Sequence, residues 1–179
     1  MKNAIILHRT KDKPTDFWFP WLKEQLEKRG YEVWLPQLPV SDKPNRGDWL
    51  PFILENWKFT EDTVIIGHSA GAQIIPSVLE KLDVKIKQAI LVSGYAKALR
   101  KTAESENSVD DFDWKNIQEK AEEFFFINSD NDPWTCNDKQ GRIFFDNLGG
   151  TQIVKHEGHM GSSMFNQPYK EFPFLLKLI

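Results

Sequence analysis

Short apolar runs separated by polar segments recur along the chain and predict buried β-strands. Six such runs lie at residues 3–7, 32–35, 63–66, 88–92, 124–127 and 152–154. These runs are continuous rather than alternating, so both faces of each strand are expected to be covered, as in a parallel sheet. Residues 93–113 are the least regular stretch, rich in charge and serine.

Apolar residues at helical spacing fill the segments between these runs. Helices are predicted from a start between Asp16 and Pro20 to Gly30, and at about 48–57, 74–82, 114–120, 134–148 and 172–178. Asp48 is expected to cap the second of them. Strands that alternate with helices indicate one α/β domain over residues 1–179, with about six mainly parallel strands and helices on both faces.

One motif joins the third predicted strand to the helix after it: Gly67-His68-Ser69-Ala70-Gly71. A serine on a sharp strand-to-helix turn needs small neighbours, and glycines two residues before and after it let the strand and helix pass closely. The turn lifts the hydroxyl of Ser69 towards substrate and leaves the N–H of Ala70 to hold a developing oxyanion. The motif therefore predicts a nucleophile elbow.

A serine nucleophile needs an imidazole base, and the chain has four histidines. His159 is chosen because nearby glycines let its loop bring the ring over the edge of the sheet after the sixth strand. His156, at the end of that strand, is expected to pack against it. His68 lies inside the elbow and is expected to point away from Ser69.

The carboxylate that orients the histidine is expected in residues 128–134, after the fifth strand. This gives the chain order Ser, Asp, His that marks one class of hydrolases. Asp132 is preferred because Pro133 holds it extended ahead of the helix. Asp130 is the less favoured alternative, because it sits among turn-forming residues and is expected to make an Asx turn instead.

Composition removes several other classes of function. A net charge of −3 and a pI near 5.8 give no basic surface for nucleic acid. No apolar run approaches the roughly 18 residues of a membrane span. The start of the chain lacks the apolar segment of a signal peptide, and the single cysteine cannot form an internal disulfide, so a cytoplasmic location is expected.

Neither a metal nor a cofactor is predicted. The sequence His156-Glu157-Gly158-His159 is not the H-E-x-x-H motif of zinc enzymes, and no further group of ligands accompanies it. Cys136 has no basic residue beside it and is expected to be a small buried side chain.

Several short segments together resemble a known family. They are Trp18-Phe19-Pro20-Trp21-Leu22, Trp49-Leu50-Pro51-Phe52, the serine motif at 67–71, Ser93-Gly94-Tyr95, Asn131-Asp132-Pro133 and Gly158-His159. The chain is similar over nearly its whole length to the family of small serine hydrolases that includes retinoblastoma-binding protein 9 and YdeN. This resemblance implies a compact three-layer α/β-hydrolase fold and a catalytic triad of Ser69, Asp132 and His159.

The resemblance also implies where the oxyanion is held. Members of this superfamily use the N–H after the nucleophile, here Ala70, and one from the loop after the first strand, for which Arg9 is preferred to Thr10. Relatives are commonly glycine-rich in that loop, where this chain has His8-Arg9-Thr10. The Arg9 guanidinium is more readily explained as a solvated loop cation than as an attractor of acidic substrates.

The predicted function is hydrolysis of a small carboxylic ester, or of an amide as the less favoured substrate. Thr10, His68 and Trp134 are the candidates for lining the substrate pocket. The alternative is a module that binds a protein or small ligand on a hydrolase fold with little turnover. A protein partner cannot be read from the sequence.

Overall fold

The computed structural model describes residues 1–97 and 112–179 and contains one sheet of six parallel strands. The strands are β1 (Asn3–Leu7), β2 (Glu32–Trp34), β3 (Thr63–His68), β4 (Ile86–Val92), β5 (Ala121–Ser129) and β6 (Thr151–Lys155). The helices are α1 (Phe19–Lys28), α2 (Arg46–Asn56), α3 (Ala70–Gln73), α4 (Ile75–Glu80), α5 (Trp114–Gln118) and α6 (Asp138–Leu148), followed by a 3₁₀-helix at Leu175–Lys177. Most of the irregular stretch at 93–113 lies outside the described residues.

The order of strands across the sheet is β2-β1-β3-β4-β5-β6. The chain therefore moves from β1 to one edge, returns to the other side of β1 at β3, and continues outward from there. In open parallel sheets, ligands bind beyond the carboxyl ends of the strands, at the point where the order reverses. That point lies between β1 and β3, and the serine motif follows β3 directly.

The continuous apolar runs of β1, β3 and β4 correspond to strands with a hydrophobic layer on each face. In β1, Ile5 packs in the cluster that contains Trp49, whereas Ile6 packs in the opposite cluster with Trp18. All four side chains are buried. Successive residues of a strand point to opposite faces, so a strand covered on both sides is apolar at most of its positions. The predicted α/β class and parallel sheet are confirmed.

The ends of the helices differ from the predictions in several places. Asn45, not Asp48, caps α2, because its side chain accepts a hydrogen bond from the Asp48 N–H at 2.8 Å. The helix predicted from residue 134 begins at Asp138, and the last helix is a single 3₁₀ turn. The segment after the serine forms two short helices, since Pro76 near the start of α4 has no N–H to continue the first one.

The helices of the described residues are all short. None is long and apolar enough to cross a membrane.

Candidate active site

Ser69 occupies the sharp turn that its sequence predicts. It follows β3, precedes α3 and has φ 54° and ψ −114°, a conformation that side-chain-bearing residues seldom adopt. A Cβ added to Gly67 would overlap the backbone of Gly71, and one added to Gly71 would overlap the carbonyl of Leu7 in β1. Both glycines are therefore required by the close passage of strand and helix. Ser69 keeps 9% of its surface exposed.

The backbone on either side of the serine hydroxyl is fixed. The Ser69 N–H donates to the carbonyl of Val92 in β4 at 2.9 Å, which attaches the turn to the sheet. Ala70 is the first residue of α3, so its N–H has no acceptor within the helix. The Ala70 N–H is therefore left without a partner inside α3.

Asp132 and His159 meet on the loops after β5 and β6. The His159 Nδ1 lies 2.7 Å from the Asp132 Oδ2, and the two side chains are 1% and 0% exposed. The other oxygen of Asp132 accepts the Trp134 N–H at 2.8 Å, so Asp132 makes the Asx turn that was expected of Asp130. Both carboxylate oxygens are bonded, which fixes the direction of the His159 ring.

The backbone of His159 is held from both sides. Its carbonyl accepts hydrogen bonds from the His68 Nε2 at 2.8 Å and the Ser93 hydroxyl at 3.2 Å, and its N–H donates to the Gln167 side chain at 2.9 Å. The His68 ring contacts the rings of Trp18 and Phe19. It is fully buried behind His159, which corrects the expectation that it lines a pocket open to substrate.

The burial of His68 has a consequence for stability. Burial, with a further contribution from His159, lowers the pKa of His68 well below its usual 6.5. As the pH falls through about 6.5, the histidine binds a proton in the unfolded chain but stays neutral in the folded protein. The free energy of unfolding is therefore expected to fall by up to about 1.4 kcal/mol per pH unit from this residue.

Urea unfolding at about pH 7.5 and about pH 5.5 measures this contribution. A His68→Gln variant retains a donor for the His159 carbonyl and should lose less stability than the wild type on acidification. His8 is also buried with a lowered pKa, but it is present in both proteins and cancels in the comparison. Equal losses in the two proteins would contradict the assignment to His68.

The second histidine–aspartate pair lies at the surface. His156 Nδ1 is 2.6 Å from Asp130 Oδ1, and the side chains are 77% and 53% exposed. The expectation that His156 packs against the strand end is therefore wrong. The structure thus separates the two candidate pairs of the sequence into one that is buried, Asp132 with His159, and one that faces solvent.

Cys136 is buried as predicted, but its position was not foreseen. The Cys136 sulfur lies 4.0 Å from the Trp134 carbonyl oxygen. One ligand atom each of Asp132, Cys136 and His159 also lie within 4.8 Å of one another. Burial, with a further contribution from Asp132, raises the pKa of the Cys136 thiol well above its usual range, so the thiol is protonated.

The loop after β1 is anchored by a neutral histidine. His8 Nδ1 lies 2.8 Å from the Arg9 carbonyl, and its Nε2 accepts the Leu38 N–H at 2.9 Å. Because Nε2 accepts, the hydrogen of the neutral ring is on Nδ1 and is donated to Arg9. Burial lowers the pKa of His8, in agreement with this neutral form.

The Arg9 side chain is not a solvated cation as expected. Its Nε lies 2.7 Å from Asp12 Oδ2, and the two side chains are 12% and 6% exposed. The guanidinium also lies over the Phe17 ring, 5.3 Å from the centroid. Burial raises the pKa of Asp12 to about 7, although Arg9 opposes the rise. Arg9 is thus part of the packed loop.

An aromatic pair lies beside His159. The Trp134 ring is partly buried and is 6.5 Å from the His159 ring and 5.3 Å from that of Phe165, in edge-to-face orientation. Phe165 is 44% exposed and the adjacent Met164 is 72% exposed. An accessible apolar surface therefore adjoins the buried Asp132–His159 pair. The place of Trp134 next to Asp132 in the sequence predicts its role, whereas the sequence has no signal for Phe165.

A strained serine at the end of a central strand and a buried aspartate–histidine pair on later loops define a protein of the α/β-hydrolase class. Residues 4–177 match the sequence profile of the serine hydrolase family, and the chain belongs to that family.

Individual relatives agree with this assignment. The YdeN protein of Bacillus subtilis (strain 168) is 35% identical over 101 residues, a match covering 55% of this chain and 53% of YdeN. The serine hydrolase RBBP9 of Rattus norvegicus is 27% identical over 126 residues, covering 69% of this chain and 67% of RBBP9. The identifiable sequence match therefore spans about half of YdeN and two thirds of RBBP9.

Solved structures extend the similarity to nearly the whole chain. The crystal structure of the B. subtilis ydeN gene product has a TM-score of 0.89 at 26% identity and covers 99% of this chain and 96% of that one. Est1E from Butyrivibrio proteoclasticus with bound ferulic acid has a TM-score of 0.68 at 15% identity, covering 99% and 89%. The second match shows a shared fold.

Proposed function

We propose that this protein hydrolyses a small carboxylic ester, and an amide less readily, through an acyl-enzyme intermediate on Ser69. The observation that carries the proposal is the buried 2.7 Å contact of His159 with Asp132, on loops beside a serine held at a strained elbow. These are the nucleophile, base and orienting carboxylate of serine hydrolysis, in the chain order of the α/β-hydrolases.

The hydrogen bond to Asp132 determines what His159 can do. With the ring hydrogen on Nδ1 and donated to the carboxylate, Nε2 carries the lone pair that takes the proton of Ser69. The serine oxygen then attacks the ester carbonyl, and the imidazolium, stabilised by Asp132, gives its proton to the departing alcohol. Water repeats the sequence on the acyl-enzyme and restores Ser69.

Two backbone N–H groups are proposed to hold the oxyanion. Ala70 begins α3 directly after Ser69, and Arg9 lies on the loop that His8 anchors after β1. The hydrogen bond from His8 to the Arg9 carbonyl and the contact of the Arg9 side chain with Asp12 fix this loop. The Arg9 N–H is therefore held in place without a glycine. Donors that are already oriented cost no reorganisation as charge develops on the oxygen.

The substrate is proposed to be partly apolar. Trp134 adjoins His159, and Phe165 extends that aromatic surface towards solvent. An acyl or alcohol group resting there would bury apolar area next to the reacting carbonyl. Thr10, partly buried beside Arg9, is the polar candidate at the opposite loop.

A panel of chromogenic esters with graded acyl length tests the proposed activity. We expect saturable hydrolysis, with kcat/KM rising with acyl length until the apolar surface is filled. A folded wild-type protein that hydrolyses none of these esters above the buffer rate would contradict the proposal and favour a binding module on the same fold.

Arg9→Ala tests how the loop after β1 takes part. If Arg9 contributes only its backbone N–H, kcat should change by less than about threefold, because alanine retains that group. A loss of about 10²-fold or more would show that the side chain acts on the oxyanion. Since the variant also leaves Asp12 buried without its cation, Arg9→Ala combined with Asp12→Asn is the control.

The kinetics of Thr10→Ala and Arg9→Ala are compared on one neutral and one anionic ester. A hydroxyl donor at Thr10 would make the variant slower on both esters. A guanidinium that attracts acidic groups would make Arg9→Ala slower on the anionic ester alone. We expect neither variant to show the loss of rate described for it.

A further inference from the structure

Three different metal-ligating side chains converge beside Ser69. One ligand atom each of Asp132, Cys136 and His159 lie within 4.8 Å of one another, and all three residues are buried. Among the described residues, this is the one group of three such side chains that could hold a metal ion. Serine hydrolysis uses the aspartate and the histidine. It has no use for the thiol, so the third member of the group requires a separate explanation.

The donor set is the kind that binds zinc. A thiolate, an imidazole and a carboxylate are the three side-chain ligands of Zn²⁺, with bonds of about 2.3 Å to sulfur and about 2.0–2.2 Å to nitrogen or oxygen. A tetrahedral ion with such bonds places its ligands about 3.3–3.8 Å apart. The 4.8 Å spread of this group therefore needs a closure of about an ångström. The sulfur favours Zn²⁺ and Cd²⁺ over Mg²⁺ or Ca²⁺.

Charge balance also favours a divalent ion here. The Asp132 carboxylate and a Cys136 thiolate together carry two negative charges, and a neutral His159 adds none, so a bound divalent ion leaves the group neutral. A neutral assembly is what a buried position tolerates. Binding forms a metal–sulfur bond and breaks the S–H bond, and that proton passes to the solvent.

Ser69 connects the group to the outside. Ser69 lies close enough to Cys136 to shift the pKa of its thiol and is 9% exposed, whereas Cys136 itself has no exposed surface. An ion would therefore enter past the serine hydroxyl.

We propose that Asp132, Cys136 and His159 bind one Zn²⁺ or Cd²⁺ ion and that this ion inhibits the enzyme. His159 that gives a ring-nitrogen lone pair to a metal cannot also accept the proton of Ser69. The inhibition rests on the function proposed above, whereas the binding of the ion does not.

Cadmium binding tests the site without any assay of activity. Cys136 is the single cysteine of the chain, so an ultraviolet cadmium–sulfur charge-transfer band reports on this site alone. Titration of the wild-type protein with CdCl₂ should give a band that saturates at one equivalent. The band should be lost in Cys136→Ser and Cys136→Ala, and the affinity should fall at least about tenfold in Asp132→Asn.

The exposed pair His156 and Asp130 supplies the matched control. His156→Gln should leave cadmium affinity unchanged, because that pair is not part of the group. The proposal is overturned if folded wild-type protein gives no band, or if Asp132→Asn binds cadmium as tightly as the wild type, which would place the metal on the thiol alone. Loss of binding in His156→Gln would overturn it as well.

Inhibition is measured separately with Zn²⁺. Each variant is normalised to its own metal-free rate, and EDTA should restore the wild-type rate. The zinc concentration for half inhibition should be at least about tenfold higher in Cys136→Ser than in the wild type. A protein that binds cadmium but hydrolyses no ester contradicts the proposed function and leaves the metal site standing. An active enzyme that binds no cadmium overturns the metal site alone.

Discussion

Replacing Ser69 by alanine is expected to lower kcat for ester hydrolysis by at least about 10³-fold. The variant removes the only atom that can form the acyl-enzyme, and what remains is the stabilisation of the oxyanion and the binding of substrate. The change removes one oxygen from a side chain that is already mostly buried, so the fold should persist. Steady-state kinetics with a neutral ester measure the loss.

A second serine provides the control for this variant. Ser163 is exposed on the loop after His159, and Ser163→Ala should leave kcat within about twofold of the wild type, as for a surface substitution. If Ser69→Ala retained most of the wild-type activity while Ser163→Ala lost it, the assignment of the nucleophile would be wrong.

Asp132→Asn is expected to lower kcat by about 10³–10⁴-fold. An asparagine amide can donate to the Nδ1 of His159, which would place the ring hydrogen on Nε2 and leave no lone pair facing Ser69. Asp130→Asn should change kcat by less than about twofold, because Asp130 bonds the exposed His156. Kinetics of the two variants under identical conditions distinguish the two carboxylates.

The histidines offer the same comparison. His159→Ala should be as damaging as Ser69→Ala, because the members of the proposed triad act as a unit. His156→Ala removes a surface contact and should be nearly silent. Damage from the His156 and Asp130 variants with silence from the other two would show that the exposed pair is the catalytic one.

Features that depend on a few neighbouring residues were predictable from the sequence. The serine turn is one, since its strained backbone and close packing demand glycine at both Gly67 and Gly71. The apolar runs are another, because a strand buried on both faces is apolar at most of its positions. Asp132 was selected for the proline after it, and the structure places its carboxylate against His159.

Features that depend on distant contacts were not predictable. The Cys136 sulfur comes within 4.8 Å of ligand atoms of Asp132 and His159 through the fold of the loop between β5 and α6, which no local pattern indicates. Gln167 bonds the backbone of a residue eight positions earlier, across a loop with no periodic pattern. The burial of Arg9 depends on Asp12 folding back on it, and a run of charged loop residues gives no sign of that contact.

Covalent labelling with a fluorophosphonate probe tests the central claim most directly. The probe phosphonylates a serine only when that serine is activated as a nucleophile, and peptide mass spectrometry locates the modified residue. We expect about one label per folded wild-type chain, on Ser69, and none on Ser69→Ala. Folded wild-type protein that takes up no label, or a Ser69→Ala variant labelled to the same extent, would contradict the account.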